Sequence, residues 1–326
     1  MTGFVAVGRS AGPALAGLVE SYWYARGTID HERELIAPTG SVVAAFVFGS
    51  PIEQTTRAGR GETFVARTGF VIGPHDQPIV NRPSAETHAL GMVLCPAACR
   101  RVLGVAPTLL RGRVAGLEAV TPHLAVHHPR LAALAAASPE AALDDVDRIL
   151  TTGLGAPDPA DDRVNHAITC IEADPTRQIG DIAIEVGTSH TRLDHEFRRV
   201  VGLSPRVLAR ILRLRRLLDG LDAFGDTVRW AELAASLGWY DQSHLIRDFR
   251  RHTGVTPTRY LLAHREHFAP TEAAPGLQHR HRAALVGRTW ATRKGIHVDR
   301  IATAWLIRRF LDADARLLWL GKDEAP

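Results

Sequence analysis

The chain is short of lysine, cysteine and long apolar runs, and each shortage narrows what it can be. Of its 39 basic side chains only Lys294 and Lys322 are lysines. That arginine bias, with abundant alanine, fits a GC-rich coding sequence and is not read as function. Three cysteines, Cys95, Cys99 and Cys170, make no disulfide framework and point to a reducing cytoplasm. No apolar run approaches the roughly 18 residues that suggest a membrane span. The N-terminus also lacks a basic start followed by an apolar core, so neither a membrane nor a secretory destination is expected. There is no phosphate loop, no nucleophile elbow and no metal-ligand spacing. The expectation is therefore no enzyme, no cofactor and no metal. Cys95 and Cys99, with His88 nearby, read either as a redox or metal sensor or as small buried residues, and the second fits C-x3-C better.

What is present is a repeat. FRRVVGLSP at 197–205 returns 52 residues later as FRRHTGVTP at 249–257. Leu193 matches Leu245, Phe197 matches Phe249, Gly202 matches Gly254 and Pro205 matches Pro257. Upstream, Ala183 pairs with Ala234 and Gly187 with Gly238, so the offset is 51 and one residue is inserted after the second glycine. Two copies make no solenoid, which needs three or more stacked units. They make a duplicated supersecondary unit.

Each copy reads as helix, tight turn, helix. In the first, Ile179, Ile182, Ala183 and Val186 recur at helical spacing, Gly187 stops the helix and Ser189 caps the next one. Leu193, Phe197 and Val200 line its inner face to Gly202. In the second, Trp230, Leu233, Ala234 and Leu237 lead to Gly238, Asp241 is the cap, and Leu245, Phe249 and Thr253 follow. This is the helix-turn-helix plan, whose second helix enters a major groove. Net charge is only +4, so basicity is local. It gathers in Arg192, Arg198, Arg199, Arg206, Arg210, Arg213, Arg215 and Arg216, against Asp194 and Glu196 alone. The second unit adds Arg247, Arg250, Arg251 and Arg259. Such side chains neutralise phosphates.

Residues 163–267 resemble the DNA-binding domain of the AraC/XylS family of bacterial transcription regulators. The resemblance rests on IAIEVGTSHTRLDHEFRRVVGLSPRVLARILRLRRLL and AELAASLGWYDQSHLIRDFRRHTGVTPTRYL. It implies two helix-turn-helix units joined by a long helix, reading two successive major-groove faces. Residues 205–219 fit the connector, with Val207, Ile211, Leu214 and Leu218 along one face and a length of about 22 Å. The base-facing positions it implies are His190, Thr191, Asp194 and His195 in unit one, and Gln242, Ser243, Ile246 and Arg247 in unit two. Arg247 suits guanine, Gln242 adenine, Asp194 a cytosine amino group and Ile246 a thymine methyl. Arg198, Arg199, Arg250 and Arg251, one turn on, suit phosphates. Unit one departs from the family at His195 and Glu196, which makes unit two the stronger reader. Asp194 and Glu196 read equally as a solvated face paired with Arg198 or Arg199.

Residues 1–120 have the texture of a β-rich sandwich or small barrel, with strand-like runs at 42–49, 63–73 and 88–95 and a helix at 98–104. LVESYWYARG and VLCPAACRRVLGVAP are similar to a sensor-type domain found ahead of some AraC-type readers, which implies effector binding or dimerisation. Residues 121–162 read as a helical linker, two alanine-rich helices broken at Ser138-Pro139 with a hinge at 155–162. His127 and His128 read as exposed helix-end residues. A polar linker, 269–287, precedes a strand–helix–strand piece at 288–326, whose helix opens at Asp299 and turns Ile301, Ala302, Trp305, Leu306 and Phe310 inward. Its W-x-T-R-K, V-D-R-I-A and W-L-I-R-R-F motifs resemble the opening quarter of the C-terminal domain of the chromate-resistance protein ChrB.

The expected fold is thus α+β and multidomain: a β-rich domain, an all-α tandem helix-turn-helix domain at 163–268, and a short β-α-β fragment. The expected function is a cytoplasmic, sequence-specific transcription regulator of the AraC type, an activator or a repressor. Its partners would be double-stranded DNA, RNA polymerase, an unidentified small-molecule effector and a second copy in a homodimer. The alternative is a chromate-stress protein whose C-terminal segment binds an oxyanion or belongs to an enzyme-like domain.

Overall fold

The structure, a computed structural model, describes residues 5–28, 33–83, 86–219, 228–268, 289–293 and 316–320. Among the described residues ten strands come first: β1 Val5–Arg9, β2 Val19–Thr28, β3 Glu34–Ile36, β4 Val43–Val47, β5 Ile52–Thr55, β6 Thr63–Ala66, β7 Gly69–Ile72, β8 Ile79–Arg82, β9 Glu86–Leu94 and β10 Val114–Gly116. They form two antiparallel sheets, one in the order β1-β2-β9-β4-β7-β10 and one in the order β3-β8-β5-β6.

Strand β4 shows why the sequence reads VVAAFVF without alternation. Side chains alternate across a strand, and both faces of this one are covered. Ala44 and Phe46 enter a core with Tyr22, Leu90 and Met92, while Ala45 and Val47 enter a second core with Ile52, Ala66 and Ile79 of the smaller sheet. The run at 63–73 is not one strand: β6 pairs with β5 in the small sheet and β7 with β4 in the large one. Gly91 lies opposite Trp23, and a Cβ there would meet the indole at 2.2 Å. Only glycine lets the ring lie flat on the sheet.

Helix α1 spans Cys99–Leu103, and α2 (His128–Ala137) and α3 (Pro139–Thr152) follow, broken where the proline predicts. The Ser138 hydroxyl caps α3 by accepting the Ala141 N–H at 3.2 Å. Leu131, Ala135, Leu143, Val146 and Leu150 share one core with the large sheet, so this helical pair is packed rather than free. His128 is accordingly not an exposed helix end. Its Nε2 lies 2.8 Å from the Val47 carbonyl and its ring 5.3 Å from Phe48. His127 is half-buried as well. The expected hinge is shorter than 155–162, because Pro159 opens the next helix, a position where its missing N–H costs nothing.

The helical region comprises α4 (Pro159–Ala173), α5 (Ile179–Glu185), α6 (His190–Val201), α7 (Pro205–Asp219), α8 (Trp230–Ser236), α9 (Gln242–Thr253) and α10 (Pro257–Phe268). One long helix, α7, serves two cores in turn. Its Leu208 and Ile211 pack with Ile182, Leu193 and Phe197, and its Leu214 and Leu217 with Ala234, Trp239, Leu245 and Phe249. Near the end of the chain, β11 (Thr289–Arg293) pairs in parallel with β12 (Arg316–Leu320). Parallel neighbours need a crossover between them, as the strand–helix–strand reading expects. The helix expected from Asp299 to Phe310 and the linker at 269–287 lie outside the described residues. Among the described residues no helix is long and apolar enough to cross a membrane.

Candidate nucleic-acid interface

Both units are built by the same local devices. In the first, Gly187 takes a left-handed φ of 71° and the Thr188 N–H reaches back to the Ala183 carbonyl at 2.9 Å. The Ser189 hydroxyl then accepts the Arg192 N–H at 3.2 Å, capping α6. In the second, Gly238 has φ 79°, Trp239 N–H reaches Ala234 at 2.8 Å, and the Asp241 carboxylate accepts the His244 N–H at 2.6 Å. Gly202 and Gly254, at φ 82° and 80°, end α6 and α9. Matching Thr188 to Trp239 identifies the inserted residue as Tyr240, which stands 93% exposed at the turn before α9.

The faces of α6 and α9 carry the expected side chains. His190, Thr191, His195, Gln242, Ser243 and Arg247 are exposed, while Asp194 and Ile246 are half-buried. Asp194 accepts from Arg198 Nε at 2.7 Å. Glu196 does not lie on that face. It is buried, takes both oxygens to Arg163 at 2.9 Å and accepts from Arg192 Nε at 2.9 Å. Burial alone would raise its pKa, but the hydrogen bonds and charges of Arg192 and Arg163 outweigh that and hold it low. Arg199 pairs with Asp158 at 2.8 Å. The guanidinium groups of Arg247 and Arg250 have no partner among the described residues.

Much of the arginine cluster is internal. Arg213 donates to the carbonyls of Gly238 (2.9 Å) and Pro175 (3.0 Å) and lies over the Trp239 ring. Arg216 donates to the carbonyls of Glu172 and Ala173 at 2.7 Å each, satisfying the C-terminal end of α4. Arg215 reaches the Thr39 carbonyl at 3.2 Å. These three guanidiniums brace the scaffold, and composition alone does not separate them from phosphate binders.

The loop between β7 and β8 touches both units. Arg251 pairs with Asp76 through Nε at 3.1 Å and through a second nitrogen, and the His252 ring meets the Asp76 carbonyl at 2.7 Å. A Cβ on Gly202 would lie 2.8 Å from Pro74, and one on Gly254 3.4 Å from Pro78. His75, also buried, holds the Gly73 carbonyl at 3.0 Å. Burial lowers the pKa of both His75 and His252. Cys99 is buried beside the Val105 carbonyl, its thiol pushed up to about 12 by burial. A thiol so held is a small core residue rather than a sensor. His88 is engaged with the Tyr24 hydroxyl at 3.2 Å and with the Phe48 ring.

Three families match successive parts of the chain. Residues 10–115 match a domain of unknown function, DUF6597. Residues 182–263 match the family described as helix-turn-helix domain, and residues 290–326 match the ChrB C-terminal domain. Protein ChrB of Cupriavidus metallidurans is 49% identical over 51 residues, a match that spans 16% of this chain and 16% of that protein's length. Among solved structures, a transcriptional regulator of the AraC-type DNA-binding group from Chromobacterium violaceum shares 25% identity, with 36% of this chain and 97% of that one covered and a TM-score of 0.29. ToxT from Vibrio cholerae shares 11% identity, with 80% and 98% covered and a TM-score of 0.40. The chain thus carries a helix-turn-helix domain between a DUF6597 domain in front and a ChrB C-terminal segment behind.

Proposed function

We propose that the chain reads DNA with two helices, α6 and α9, set in successive major-groove segments. The observation that carries this is the repetition of one capped unit on a single connecting helix, each copy presenting an exposed polar face. His190, Thr191, Asp194 and His195 face bases in the first unit, and Gln242, Ser243, Ile246 and Arg247 in the second. Arg198, Arg199, Arg250 and Arg251 hold phosphates. The second unit carries most of the discrimination, because its base-facing Arg247 is free of described partners while Asp194 of the first unit is paired with Arg198. The β-rich domain, which we take to run through α3 because α2 and α3 share its core, binds a small-molecule effector or joins a second copy. RNA polymerase is the target of the output.

The test is a gel-shift series on operator variants. Arg247→Ala costs roughly 1–3 kcal/mol and relaxes preference at one base pair, whereas Arg250→Ala weakens every probe and lowers the salt slope by about one. Identical losses on every probe would refute this division of labour. A second reading has its own observation, the match of residues 290–326 to the ChrB C-terminal domain. It makes the regulator a chromate-stress protein whose operator affinity changes with chromate, and titrating chromate into the same gel shift decides it.

A further inference from the structure

The structure assigns a second kind of site to this chain: a zinc-binding centre formed by His166, Cys170 and Glu185 that joins α4 to the first helix of unit one. Positions 166 and 170 are one helical turn apart and therefore share a face of α4. Glu185 is the last residue of α5 and is carried to the same spot by the packing of Ile179 and Ile182 against Ile171. The three ligand atoms lie within 4.8 Å of one another. Glu185 Oε1 is 3.2 Å from the Cys170 sulfur and 3.6 Å from His166 Nε2. Ligands of a tetrahedral zinc, with bonds of about 2.0–2.3 Å, sit roughly 3.3–3.7 Å apart. Two of the three separations are thus already close to that geometry, and only the imidazole and the thiol need to approach.

The chemistry suits zinc among the divalent ions. A thiolate, an imidazole and a carboxylate form a mixed sulfur, nitrogen and oxygen set, which hard cations such as magnesium and calcium do not select. Cys170 is buried, whereas His166 and Glu185 are exposed, so the metal enters from solvent and keeps an open fourth position for water. Arg177 donates to the other Glu185 oxygen at 2.6 Å, fixing the carboxylate with Oε1 toward the sulfur and the ring. That outer contact is of the kind that orients metal ligands. On binding, the metal replaces the thiol proton, which leaves to solvent, and the thiolate and carboxylate balance its two positive charges. The centre then fastens the turn-forming helix of unit one to the helix that braces it.

Cobalt(II), added to the chelator-treated full chain, reports the site through its thiolate-to-cobalt charge-transfer absorption. The expected result is a band that saturates at one equivalent, is displaced by zinc, survives in Cys95→Ser and disappears in Cys170→Ser. His166→Ala, at an exposed position that leaves the core intact, weakens cobalt binding at least about tenfold. Zinc also raises the midpoint of thermal unfolding of the wild-type chain but not of His166→Ala. No charge-transfer band in the wild type, a band that persists in Cys170→Ser, or equal cobalt affinity in His166→Ala would each overturn the assignment.

Discussion

Glu196 shows how a residue can depart from a family pattern for reasons that lie outside the binding face. The sequence reads it as a departure from the family pattern or as part of a solvated face paired with Arg198 or Arg199, but its side chain turns inward to Arg163 of α4 and Arg192 of its own helix. A buried carboxylate between two guanidiniums is stable only while all three are charged. Glu196→Gln keeps the shape and removes the charge, and is expected to lower stability by about 1–3 kcal/mol in denaturant titration. The pH dependence has a definite sign. The folded pKa lies below the unfolded value, so the contribution is full above about 4.3 and is lost as the pH falls toward the folded value. Wild-type and variant unfolding midpoints should therefore converge in acid. If they stay parallel down to low pH, the carboxylate is not the stabilising group. The exposure of His190, Thr191, His195, Gln242, Ser243 and Arg247 agrees with the solvent side that the family resemblance implies for the second helices. The inward turn of Glu196 was not legible in the sequence, since its partner Arg163 lies 33 positions away.

Among the elements, those fixed by local chemistry were the ones legible in the sequence. Ser189 and Asp241 announced the starts of α6 and α9, and Gly202 and Gly254 their ends, and each does so in the structure through a hydrogen bond within a few residues. Asp241→Ala should accordingly cost about 1 kcal/mol, measured by thermal or chemical unfolding. Because α9 opens on this cap, DNA affinity should fall with it. Loss of affinity without loss of stability would instead make Asp241 a DNA contact. The strands were less legible. The run at 63–73 changes sheets midway, and β4 has no polar face, so neither shows the alternation that marks a half-buried strand. The arginines of α7 defeated composition for the same reason: Arg213 and Arg216 satisfy carbonyls brought to them by tertiary packing.

At the scale of the whole molecule, the β-rich domain holds a side chain that the proposed DNA contact also uses. Arg251, a phosphate candidate, is paired with Asp76, and the same loop rests on the glycine ends of both units. An acid at that point competes with a phosphate for the guanidinium. Asp76→Asn should therefore raise DNA affinity and steepen its salt dependence by about one counterion, read by fluorescence anisotropy across a salt series. Unchanged affinity and slope would mean that Arg251 never leaves the domain contact. Acidification offers an independent route to the same release. His75 and His252 are buried in this contact with Asp76, Asp248 and Arg251 around them, and burial holds both imidazoles below the ordinary value near 6.5. Between the folded and free values the released state binds more protons, so the contact is full above about pH 6.5 and weakens as the pH falls. Arg251 should then become available at mildly acidic pH in the wild type, and the affinity advantage of Asp76→Asn should shrink there. An advantage that stays constant from neutral to acidic pH would show that the histidines titrate without loosening the domains.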